Sequence, residues 1–173
     1  MQRLYAALVQ SSEQRRRAVS FLLGALGSLA FAPCYVLPTL VPALTGLLWL
    51  VTSASCRRAA FAVGWWFGLG HFLVGFYWVG KAFTVADIGV VAGILAVGFL
   101  AAASALAIGA VGLASYVLGL TGVRQVAVFA IFWTLAEWDR SILVLGGYPW
   151  NHIGYLWGFS DVMIKLYAQI GVF

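Results

Sequence analysis

Glu137 and Arg140 lie three residues apart inside a strongly apolar run, "FAIFWTLAEWDRSILVL". Ionisable groups in such a run cost about 2.5–3.5 kcal/mol each on membrane-insertion scales, so their presence needs a reason. Three-residue spacing puts both on one helix face, where they can pair. Trp133, four residues before Glu137, extends the same stripe, while Trp138 and Asp139 point elsewhere. Two roles fit this pattern: an ion pair that fixes helix packing, or the polar wall of a headgroup or substrate cavity.

The next concentration of chemistry is "GGYPWNHIGY", residues 146–155. Gly146 and Gly147 can end the preceding helix in a left-handed conformation, and Pro149 stiffens the turn that follows. Tyr148, Trp150 and Tyr155 are residues of membrane interfaces. An aromatic belt would account for the rings, but not for the Pro-Trp-Asn-His order. Asn151 and His152 add donors and acceptors at the depth where acyl-ester carbonyls or a peptide would sit. A third stretch, "GHFLVGFYWVGK" at residues 70–81, brings Tyr77 and Trp78 to the same interface, with Gly75 admitting a close neighbour. His71, inside that helix, reads as a packed hydrogen-bonding residue rather than a ligand or a base.

Other chemistries have no foothold. There is no HExxH, GxSxG or phosphate-binding loop, and no Ser/His or Ser/Lys pair placed like an intramembrane protease. Cys34 reads as a small apolar turn residue with no base beside it in sequence. Cys34 and Cys56 fall at the ends of different segments, on opposite expected faces, and make neither a disulfide pair nor a metal spacing. No cofactor is implied.

The elements that must position these residues follow from composition. Of 173 residues, 64% are hydrophobic and 9% charged, with a mean hydropathy of +1.00. Soluble domains carry about 25% charged residues, so the expected solvent for most of this chain is lipid. The net charge of +5 sits at segment ends, where it serves topology, and does not suggest nucleic acid.

The reading is all-α: a polytopic transmembrane helix bundle with five full spans and a truncated sixth. Residues 1–17 form a basic tail or an interfacial helix. The spans are about 18–32, 35–52, 59–79, 88–120 and 125–145, with a partial one at 162–173. The first two form a hairpin through "APCY", with Pro38 and Pro42 in the first turns of the second, where a missing N–H is tolerated. The fourth, at about 50 Å by helical rise, must tilt, bend or protrude. Arg3, Arg15, Arg16, Arg17, Arg57, Arg58 and Arg124 fall on one side, against Lys81, Arg140 and Lys165 on the other. The positive-inside rule then makes the N-terminus cytoplasmic and the 146–160 loop periplasmic. The last segment is shorter than the roughly 20 residues a span needs, so a piece of a longer protein is expected.

Three stretches carry a family resemblance. "EWDRSILVLGGYPWNHIGY" (137–155) resembles the E-W-x-R…T-G-[FY]-P-W-N-x-x-G-Y signature of apolipoprotein N-acyltransferases. "LGSLAFAPCYVLP" (26–38) resembles that family's first hairpin, and "GWWFGLGHFLVGFYWVG" (64–80) its third span. Asp139, where the family is usually apolar, and Gly146, where it often has Thr, are departures.

The resemblance implies a bacterial inner-membrane bundle that carries a periplasmic nitrilase-like domain with a Glu-Lys-Cys triad. The Cys takes an acyl chain from a phospholipid donor as a thioester and passes it to the α-amine of a diacylglyceryl apolipoprotein, as nucleophilic catalysis by an activated thiolate allows. No such triad can be placed here, so the chain alone is expected to be inert. By the motif match, Glu137, Arg140, Pro149, Trp150, Asn151 and Tyr155, with Trp78, are expected to line an outer-leaflet cavity beneath that domain. The alternatives are a stand-alone lipid- or partner-binding membrane module, or a small transporter. The last is disfavoured by the few polar residues inside spans and the lack of an inverted repeat.

Overall fold

The structure, a computed structural model, describes residues 11–142, 150–158 and 160–171. Among them the chain forms seven α-helices and two 3₁₀ turns, with no strand. The helices are α1 Glu13–Ser28, α2 Leu40–Thr52, α3 Arg57–Gly75, α4 Tyr77–Val85, α5 Val90–Leu118, α6 Gly122–Ile142 and α7 Asp161–Ile170. The 3₁₀ turns are Leu37–Thr39, which leads into α2, and Ile153–Trp157. Residues 1–10, where an interfacial helix was one reading, lie outside the described residues.

Helix α3 is the centre of the bundle, packing on α1, α2, α4 and α5. Small residues allow this on two faces at once. A Cβ at Gly24 of α1 would overlap the Phe67 carbonyl, and one at Gly70 of α3 would overlap the Phe21 carbonyl. The two backbones therefore touch reciprocally, and α1 runs parallel to α3. On another face, a Cβ at Gly68 would come within 2.8 Å of the Ala105 Cα of α5. Close backbone approach of this kind lets two helices make dispersion contacts along their length. Between the glycines, Leu47, Leu50, Phe67, Phe72, Phe76 and Trp133 fill the core.

Two buried polar side chains tie helices of the bundle together. Buried Arg16 donates to the Leu50 carbonyl at 2.6 Å and to Ser53 Oγ at 2.9 Å, so a cation of α1 caps the C-terminus of α2. Ser20 Oγ donates to the Val63 carbonyl at 2.6 Å, pinning α1 to α3.

The outer surface is apolar. Val91, Ile94, Leu95 and Phe99 of α5 are 66–72% exposed, a face that water would penalise and lipid would not. Helix α5 is one unbroken helix of 29 residues, long and apolar enough to cross a membrane. Helices α3 and α4 qualify together as a single span bent by 44°. Helix α1, with 16 residues, and α2, with 13, are shorter, and α6 carries Arg124, Glu137, Asp139 and Arg140.

In the third segment, where the sequence reading had a span over 59–79, the helix bends at Phe76 and continues as α4 to Val85. Beyond the break, α4 lies against the start of α5, where a Cβ at Gly93 would come within 2.8 Å of the Gly80 carbonyl.

Candidate functional site

One end of the bundle gathers the residues that the sequence singled out. Helices α1, α3 and α6 finish there and α5 begins there, and the segment 150–157 lies across it. Three side chains of α6 hold this segment. Glu137, buried, accepts at Oε1 from Trp133 Nε1 at 2.9 Å and from the Ile153 N–H at 2.8 Å. Arg140, also buried, donates from Nη1 to the Trp150 carbonyl at 2.6 Å, and its guanidinium lies 4.8 Å from the Phe72 ring centre. Ser141 Oγ donates to the Glu137 carbonyl at 2.7 Å and stands 3.0 Å from His152 Nε2.

The expected one-sided stripe on α6 is present: Trp133, Glu137 and Arg140 are buried and Trp138 is exposed. Glu137 and Arg140 each make a hydrogen bond to the 150–157 segment. Each holds a different backbone group of it, so the two charges act as a two-point clamp. Charge-assisted bonds of this kind are about twice as strong as neutral ones.

Within the segment, Asn151 adopts a left-handed backbone with φ 54°, which Asn tolerates better than most residues. Its amide nitrogen sits directly over Gly75, at the α3 break, where any Cβ would overlap it. His152 is fully buried, and its ring stacks on Tyr155 at 5.3 Å with an interplanar angle of 3°. Burial, and then the nearby Arg140 charge, push the His152 pKa down to about 4. Trp150 leans on Trp78 of α4 with ring centres 4.9 Å apart. Tyr167 of α7 donates to the Gly154 carbonyl at 2.6 Å, tying the last described helix to the same segment.

The segment stands between two apolar clefts. The first, of about 610 Å³, is bounded by Phe31, Tyr35 and Tyr77 on one side and by Trp78, Trp150, Asn151 and Tyr155 on the other. The second, of about 950 Å³, runs between α2 and α6 past Phe129 and Trp133 to Glu137, Ile153 and Trp157. Both fall within the range of small-molecule and lipid sites, about 300–1,000 Å³. Their walls are mostly apolar, which suits hydrocarbon chains. Among the described residues, no three His, Cys, Asp or Glu side chains gather where one metal ion could be held.

The structure thus brings Trp78, Trp150, Asn151 and Tyr155 to one cleft and Glu137 to the other, with Arg140 behind them as the clamp. Pro149 lies outside the described residues, as does the rest of 143–149. Sequence reasoning missed Ser141 and undervalued His152. Ser141 follows Glu137 by one helical turn, the spacing that could have marked it. It also missed the 29–39 hairpin as a cleft wall, because Phe31 and Tyr35 come from the far end of the sequence. His71 is buried among Phe31, Phe67 and Phe72, as a packed residue would be, and Cys34 and Cys56 are free and exposed.

Comparison with known proteins bears on the same stretches. The sequence model described as the apolipoprotein N-acyltransferase N-terminal domain matches residues 23–173. An apolipoprotein N-acyltransferase of Allorhizobium ampelinum is 34% identical over 183 residues, covering 100% of this chain and 34% of the relative. One from Sinorhizobium fredii is 36% identical over 165 residues, covering 90% of this chain and 31% of the relative. One from Rickettsia bellii is 35% identical over 158 residues, covering 88% and 30%. The chain spans about a third of the length of these curated relatives.

Proposed function

The chain belongs to the apolipoprotein N-acyltransferase family, matching its N-terminal domain, and from that premise we propose that it supplies the membrane platform for lipoprotein N-acylation. In this reading the bundle lies in the bacterial inner membrane as a multi-pass domain. The basic end faces the cytoplasm and the 146–160 loop faces the periplasm. The apolar exterior of α5 supports immersion in lipid.

The observation that carries the proposal is the convergence of Trp78, Trp150, Asn151 and Tyr155 on one cleft, at the end opposite Arg15, Arg16, Arg17, Arg57, Arg58 and Arg124. A phospholipid acyl donor, or the diacylglyceryl group of an apolipoprotein, would rest its chains there. Its ester region would lie level with the indoles of Trp78 and Trp150. A nitrilase-like domain above that end would supply the nucleophile and the acid–base groups. The chain's own part is to hold lipid, exclude water and seat that domain, and on its own it would not turn over.

A chimera tests this. The first third of the Allorhizobium ampelinum enzyme is replaced by this chain, and N-acylation of a lipoprotein is measured in cells depleted of their own enzyme. The expected result is restored N-acylation, lost when Trp150 and Asn151 are both changed to Ala at unchanged membrane level. A chimera present at normal level whose N-acylation is indifferent to those substitutions would sink the proposal.

A further inference from the structure

The two ends of the bundle differ sharply in charge. Arg15, Arg16, Arg17, Arg57, Arg58 and Arg124 lie at the end where α1, α3 and α6 begin, with Glu13 as the one carboxylate among the described residues there. The far end mixes Lys81, Arg140 and Lys165 with Asp87, Glu137, Asp139 and Asp161. Topology explains why arginines gather at one end. It does not explain why one of them closes an apolar cleft.

That cleft, of about 530 Å³, opens on the side of α1 and α3 and is lined by Gln14, Arg17, Ala18, Phe21, Leu22 and Trp66. Leu22 is 64% exposed, and Phe21 meets Trp66 edge to face at 6.3 Å. The cleft is therefore hydrocarbon along its length and cationic at its mouth. Arg17 is half-exposed, and its partner among the described residues is a surface one on its own helix, Glu13 Oε2 at 3.3 Å. A pair of that kind is worth little and gives way readily to a better anion. Ser55 Oγ, 3.3 Å from Glu13 Oε1, brings the turn before Arg57 and Arg58 alongside, so further positive charge stands near the mouth.

We propose that this cleft holds one anionic phospholipid from the leaflet on the arginine-rich side. An acyl chain lies on Phe21, Leu22 and Trp66, and the phosphate sits at Arg17. A zwitterionic lipid fits the same hydrocarbon but gains less, because its net charge is zero. One Lys or Arg near an anionic lipid surface contributes about 1 kcal/mol, or about fivefold in retention. The site is separate from the aromatic end and requires only that the bundle be embedded in lipid. It stands or falls independently of the acyltransferase reading.

The test is native mass spectrometry of the purified chain released from detergent. Equal amounts of dioleoyl phosphatidylglycerol or dioleoyl phosphatidylcholine are supplied. One phosphatidylglycerol should be retained about fivefold better than phosphatidylcholine. The preference should fall to near unity in Arg17→Gln and in Leu22→Glu, which puts a carboxylate in the cleft. It should rise in Glu13→Gln and stay unchanged in Lys81→Gln. Inorganic phosphate should not displace the lipid. Three results would overturn the proposal: no headgroup preference, a preference that survives both cleft substitutions, or displacement by free phosphate. Arg17 and Leu22 both face outward, and unchanged thermal unfolding of the variants separates lost binding from lost fold.

Discussion

Glu137 Oε1 lies 2.8 Å from the backbone N–H of Ile153, sixteen residues further along the chain. The same oxygen accepts from Trp133 one turn back, at 2.9 Å. One buried carboxylate thus serves its own helix and the segment that crosses the end of the bundle. With Arg140 on the Trp150 carbonyl, it fixes that segment at two backbone points. The 3₁₀ turn at Ile153–Trp157 then sends Tyr155 to one cleft and Trp157 to the other.

Removing this carboxylate should loosen the segment more than removing its charge. Glu137→Ala leaves the Ile153 N–H and the Trp133 indole without their acceptor, and each orphaned donor costs about 1–3 kcal/mol. Glu137→Gln keeps one carbonyl oxygen and should lose less than half as much. Thermal unfolding in detergent, followed by tryptophan fluorescence, ranks the two. Equal losses would mean that charge, not acceptance, is what Glu137 supplies.

Gly75 should not accept a side chain. A methyl group there would overlap the Asn151 amide nitrogen, and that segment is clamped from its other side by Arg140. Gly75→Ala is expected to cost about 1–3 kcal/mol as overpacking. Combining it with Asn151→Gly should restore part of the loss, because the smaller residue vacates the space and keeps the positive φ. No recovery in the double variant would show that Gly75 matters for the helix break alone.

His152 should make the fold sensitive to mild acid. Its folded pKa, about 4, lies below the ordinary value of 6.5, so between those values the unfolded chain binds the extra proton. Its contribution is therefore complete above about pH 6.5 and is lost as the pH falls toward 4. The melting temperature of the native chain should drop between pH 7 and pH 5, and His152→Asn should flatten that slope. A slope unchanged by the substitution would assign the acid sensitivity to another group.

Arg16 should be worth more than an exposed arginine. It satisfies the Leu50 carbonyl at the end of α2, and Arg16→Ala leaves that buried acceptor only the long 3.4 Å contact from Ser53 Oγ. The expected loss is about 1–3 kcal/mol, with Arg16→Lys intermediate because the shorter side chain brings its ammonium less far toward the two acceptors that Nη2 serves. Arg15→Ala, at an exposed position on the same turn, is the control and should change stability by less than about 0.5 kcal/mol.

Composition and periodicity were enough to read an all-helical chain and to find the stripe of Trp133, Glu137 and Arg140. These are properties of single segments: apolar runs, a helix face repeating every three to four residues, and prolines tolerated only in first turns. The motif resemblance added which loop residues to watch. What sequence could not supply is what depends on contacts between distant segments. The break after Gly75 comes where the Asn151 amide sits on its Cα, and nothing in the residues around Gly75 announces a partner so far along the chain. The bond from Glu137 to Ile153 is likewise invisible to helical spacing, which offered only Arg140 as a partner. The cleft joins the hairpin of Phe31 and Tyr35 to Trp150 and Tyr155 because α1 and α3 run parallel and α6 ends beside them. That arrangement is set by glycine-to-carbonyl packing across helices, a three-dimensional fit that no one-dimensional pattern encodes.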